Sequence, residues 1–148
     1  MQEIDAQMAG RVWNRVRGGQ EERLPLRVLI SRERELAAGI RALARQLRGR
    51  PGQLLEGLAK QSEQHVLWLK GMCLCDGAPA PHPAAMSAGA QPAQAAVRRL
   101  YSRTLALLGE YSRRQEDGQY GAVFGRMAGQ EAEACAKLLE LMAAVGGK

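Results

Sequence analysis

Apolar residues recur at the helical period along most of this chain. The first strong stripe is Leu26, Leu29, Ile30, Leu36, Ala37, Ile40, Leu43 and Leu47, which predicts an amphipathic helix. It ends in RGRPG, where Pro51 suits the first turn of the next helix, because a proline there sacrifices no helical hydrogen bond. A second stripe follows at Leu54, Leu55, Leu58, His65, Trp68, Leu69 and Met72, and runs out at Cys75-Asp76-Gly77. The stretch DGAPAPHPAAMSAGAQPA has no periodic core pattern and reads as a crossover linker over about 76–92. Val97, Leu100, Tyr101, Leu107, Leu108 and Tyr111 mark a third helix, and QEDGQYG a turn. Tyr120, Val123, Phe124, Met127, Ala134, Leu138, Leu141 and Val145 mark a fourth. Two helical hairpins joined by one long connection predict an all-α four-helix bundle over 26–146. Residues 1–25 form a separate N-terminal part. In it Ile4, Met8, Val12, Trp13 and Val16 predict a short helix over 2–17, stopped by Gly18 and Gly19.

The two halves resemble each other. LAKQSEQHVLWL (58–69) aligns without gaps on MAGQEAEACAKL (127–138), pairing Leu58 with Met127, Ala59 with Ala128, Gln61 with Gln130 and Leu69 with Leu138. An internal duplication is the economical explanation.

Composition narrows the class. Apolar residues make up 46% of the chain and aromatics only 4%, which supports a helical core and argues against a sheet built on aromatic and β-branched pairs. The net charge of +6 is spread among glutamates, as in SRERE and YSRRQED. That is a solvated helix surface and not the concentrated basic patch of a nucleic-acid binder. The three cysteines, Cys73, Cys75 and Cys135, are too few and odd in number for a disulfide framework. Cys135 reads as a small core residue. Cys73 and Cys75, even with His82 and Met86 nearby, make no zinc motif. The N-terminus lacks the apolar region of a signal peptide, and no apolar run has the length of a membrane span. A cytoplasmic protein is expected. Phosphate-loop, dinucleotide and nucleophile-elbow motifs are absent from the sequence.

Polar residues interrupt each stripe near its middle: Glu33 on helix 1, Ser62 and His65 on helix 2, Thr104 on helix 3 and Glu131 on helix 4. In an antiparallel bundle these positions fall in one layer. A buried carboxylate needs a cation or a hydrogen-bonded partner. Two carboxylates and an imidazole at one level form a set suited to iron, manganese or zinc. The metal-free alternative is a satisfied network in which His65 bonds to Glu33, Glu131 or Thr104. Two shifts of register compete with this layer. Turning helix 1 by one position exposes Glu33 beside Arg34 and Glu35, and slipping helix 4 by one places Ala132 and Cys135 at the layer.

The helix pattern, the crossover, the duplication and the layer together resemble the ferritin-like superfamily, nearest to small rubrerythrin-type proteins, over about residues 26–145. In that family helices 1 and 3 each give a glutamate, helices 2 and 4 each give a Glu-x-x-His pair, and the set holds two metals, usually iron. The resemblance maps the helix 1 glutamate onto Glu33. The helix 2 pair becomes Ser62 and His65, the helix 3 glutamate becomes Thr104, and the helix 4 pair becomes Glu131 and Ala134. Ligand positions are thus lost at Ser62, Thr104 and Ala134, and Tyr111 falls beside the layer. The resemblance implies a degenerate di-iron site. The first expectation is a non-catalytic bundle without cofactor that acts in a structural or interaction role. Its Val12/Trp13/Val16 face or its linker would contact a second copy or another protein. The alternative is a rubrerythrin-like protein that binds one iron, manganese or zinc ion through Glu33, His65 and Glu131 and has redox or iron-handling activity. No cysteine set for a rubredoxin-like domain is present.

Overall fold

The computed structural model describes residues 23–77 and 91–146. The helix expected over 2–17, the Trp13 face, and His82 and Met86 of the linker lie outside them. The described residues form four α-helices and no strand: α1 (Leu26–Gln46), α2 (Arg50–Cys75), α3 (Ala93–Arg113) and α4 (Gly121–Gly146). Pro51 lies in the first turn of α2, as its sequence position predicts. At the other end of α2, Gly77 takes a φ of 73°, a left-handed conformation that favours glycine and stops the helix. No described helix is long and apolar enough to cross a membrane.

α1 packs on α2 and α3, and α4 packs on α3 and α2. Side-chain contacts fix the directions. Arg41 of α1 pairs with Glu56 and Glu63 of α2, so the first hairpin is antiparallel. The Leu24 N–H at the start of α1 donates to Glu110 near the end of α3. The Tyr120 hydroxyl at the start of α4 donates to Asp76 at the end of α2. All neighbouring helices therefore run antiparallel. α2 ends and α3 begins at opposite ends of the bundle, about 30 Å apart for helices of this length.

One hydrophobic core runs through the bundle and takes in residues of all four stripes. The gapless alignment of the two halves extends in three dimensions. Gly52 pairs with Gly121, Leu55 with Phe124, Ser62 with Glu131, His65 with Ala134, Val66 with Cys135 and Met72 with Leu141, and every one of these is buried.

The first of those pairs shows why glycine stands there. A Cβ on Gly52 would lie 2.5 Å from the Leu47 carbonyl oxygen, and one on Gly121 would strike the Gln115 carbonyl. Backbone atoms cannot give way as side chains do. Gly52→Ala and Gly121→Ala should each cost about 1–3 kcal/mol in denaturant unfolding. Gly57→Ala, into open space on the same α2 helix, should stabilise by up to about 1 kcal/mol. Equal effects at all three positions would refute the close-approach explanation.

Candidate metal centre

The charged part of the buried layer draws one residue from each of three helices. Glu33 of α1 sits one turn after Ile30, His65 of α2 follows Ser62 by three residues, and Glu131 of α4 follows Ala128 by three. Helical spacing puts all of them on core faces. Glu33 and His65 are 0% exposed and Glu131 is 2% exposed, so the register that would have solvated Glu33 is ruled out. In α4, Glu131 and Ala134 are buried and Ala132 and Glu133 are exposed, which rules out the slipped register. Cys135 is buried as a core residue.

His65 is the hub. Its Nδ1 lies 2.8 Å from Glu33 Oε2 and 3.0 Å from Glu131 Oε1. Its Nε2 lies 2.7 Å from Gln130 Oε1. The Tyr111 hydroxyl of α3 donates to Glu33 Oε2 at 2.7 Å. The ring is held between Trp68, with centroids 5.6 Å apart, and Tyr111, edge-on at 6.0 Å. Arg126 lies over the Trp68 ring.

Of the other residues in the layer, Ser62 and Ala134 are buried. Thr104 is buried, but its hydroxyl donates to the Leu100 carbonyl at 2.8 Å, so it bonds its own helix and not His65. The layer therefore has a charged half and a half of small side chains.

Two carboxylate oxygens in the cluster, Glu33 Oε1 and Glu131 Oε2, are buried and accept no hydrogen bond. Burial works against an imidazolium at His65, but bonds to Glu131 and Glu33 and their charges outweigh it, and the pKa is pushed up to about 10. Burial pushes Glu131 up to about 7. The His65 bond opposes that rise and the Glu33 charge adds to it. Burial and the Glu33 carboxylate push the Tyr111 phenol up, so it stays a proton donor.

The donor set suits one divalent cation. Glu33, His65 and Glu131 each place a ligand atom within 4.8 Å of the others. The two His65 separations, 2.8 and 3.0 Å, bring the donor atoms close enough for one ion to take the place of the shared proton. Two carboxylates and a neutral imidazole would also balance a dication's charge, and the two orphaned oxygens supply lone pairs that have no partner among the described residues.

Sequence reasoning missed Gln130. Its signal was faint: it stands next to Glu131 and pairs with Gln61 in the repeat. A second buried polar cluster, at the bundle end, was also missed. There Glu110 accepts the Leu24 N–H and pairs with Arg113 and Arg114, and Arg114 reaches the Leu24 carbonyl and lies 5.4 Å from the Phe124 ring centroid. This cluster ties the chain entering α1 to the end of α3. The chain matches no protein-family model, no curated protein and no solved structure.

Proposed function

We propose that this bundle binds one divalent metal ion at Glu33, His65 and Glu131, in the manner of a ferritin-like protein whose two-metal centre is reduced to a single site. The observation that carries this is a pair of buried carboxylates that each turn one oxygen to the same imidazole, Glu33 Oε2 and Glu131 Oε1, and leave the other, Glu33 Oε1 and Glu131 Oε2, without a partner among the described residues. In the metal-free protein the His65 imidazolium balances one carboxylate charge; a second charge left uncompensated in a protein interior costs roughly several kcal/mol, and a dication balances both. Three protein ligands leave coordination positions open, as reactive metal sites require. Iron in such a site would supply redox chemistry toward oxygen or peroxide, whereas zinc would supply Lewis acidity. The chain's own part is to hold the carboxylates and imidazole together and keep Tyr111 as a proton donor to Glu33.

The test is elemental analysis of protein purified without chelator or affinity tag, repeated after anaerobic addition of Fe(II). About one metal per chain is expected, with uptake lost in Glu131→Ala. No metal under either condition would overturn the proposal. It would leave the reading in which the bundle acts through a protein partner. That second reading draws on Leu67 and Leu74, which lie exposed one heptad apart on α2.

A further inference from the structure

The His65 ring is clamped between Trp68 and Tyr111, so its two nitrogens have fixed directions: Nδ1 faces the carboxylates and Nε2 faces Gln130. The position of the ring proton is the remaining variable. A bare Nε2 lone pair 2.7 Å from the Gln130 carbonyl oxygen would set acceptor against acceptor, so with the amide in this orientation Nε2 carries the proton; the flipped amide would instead donate to a bare Nε2, and the ring-proton measurement below separates the two. With the proton on Nε2, Nδ1 is directed to whatever cation lies between Glu33 and Glu131.

We propose that Gln130 is a positioning residue for the metal centre: its side-chain carbonyl holds the proton on His65 Nε2 and so commits Nδ1 to the metal. This inference rests on the metal-binding reading above. Partners of this kind orient a histidine ligand and raise its basicity, and their loss weakens metal affinity by about 10–100-fold. The internal repeat supplies a matched comparison. Gln61 is the counterpart of Gln130 and Ala134 the counterpart of His65, so the first glutamine has no imidazole to orient. Both glutamines are half-buried, so replacing either makes a comparable perturbation of packing.

The experiment uses the full chain, Zn(II) as probe, and Gln130→Met, Gln130→Glu and Gln61→Met as variants. Zinc affinity is read by competition with a chromophoric chelator. The ring proton is read by long-range proton–nitrogen NMR on histidine-labelled protein, in which only His65 and His82 contribute. Gln130→Met should weaken zinc binding about 10–100-fold. Gln130→Glu, which restores an acceptor, should bind at least as tightly as the parent, and Gln61→Met should match the parent. The zinc-loaded parent should show a protonated Nε2 and a metal-bound Nδ1. Three results would overturn the proposal: parent-like affinity in Gln130→Met, equal weakening in Gln61→Met, or a proton on Nδ1 with Nε2 bare. A parent protein that takes up no zinc sinks this inference together with the metal reading. Zinc uptake that is indifferent to Gln130 sinks this inference alone.

Discussion

His65→Ala should destabilise the metal-free protein by about 3–5 kcal/mol, the range for breaking a buried charged pair by removing one partner. In a chain of this size that corresponds to a fall in Tm of roughly 10 °C or more. The imidazole donates Nδ1–H between Glu33 Oε2 and Glu131 Oε1, and so pairs with both carboxylates at once. Without it, Glu33 keeps the Tyr111 hydroxyl as a donor and Glu131 loses its His65 partner. Part of the loss would be the cavity left by the ring, as for any truncated core side chain. A double variant separates the two contributions. Glu131→Gln replaces the unpaired charge with an amide of the same shape, so in the His65→Ala background it should restore stability. In the parent, where His65 balances Glu131, the same change should give no such gain. That difference is the coupling energy of a double-mutant cycle. If Glu131→Gln has the same effect in both backgrounds, the carboxylates are not held by His65, and the layer is ordinary core.

The helices were legible because their signal is redundant. Each stripe repeats over several turns, so one misread residue does not move the helix. The layer was legible for a related reason: Glu33, His65 and Glu131 are the polar residues at positions where the stripes call for apolar ones, and all three are buried. Thr104 was placed correctly in the core but its bond was not. A threonine in a helix can turn its hydroxyl to the carbonyl four residues back, and here it does. Gln130 carries no sequence signal of this kind. It sits at the edge of the apolar face, where a half-buried glutamine and a solvent-facing one look alike until the facing helix is known. Glu110 and Arg114 were hidden for another reason. They lie at the last turn of α3 and in the turn after it, where periodicity no longer reports which side faces the core.

The stability that a metal adds should grow with pH while the metal-free protein loses stability. His65 is raised from 6.5 to about 10 and Glu131 from 4.5 to about 7. In both cases the folded protein holds its proton after the unfolded chain has released it. The stability contributed by each group is fully present below its unfolded pKa and is lost as pH rises through its folded pKa. Metal-free protein should therefore lose stability from about pH 5 upward through the Glu131 window, and again toward pH 10 through that of His65. The groups facing the imidazole from the other helices are Glu33, Tyr111 and Glu131, and the raised Tyr111 phenol stays neutral across this range. A metal ion competes for the same sites, because it needs Nδ1 without its proton and both carboxylates ionised. Metal affinity should rise with pH over the interval in which metal-free stability falls. Saturation at one hundred times the dissociation constant adds about 2.7 kcal/mol, and at fixed free metal this increment grows as the dissociation constant falls. Thermal unfolding at pH 5.5, 7 and 8.5, with chelator and with excess Zn(II), reads both trends at once. The separation between the two Tm values should widen with pH. A metal-free Tm that does not change from pH 5.5 to 8.5 would mean that the cluster does not hold its protons as its burial and charges require. A separation that stays constant would mean that zinc stabilises the protein somewhere other than His65.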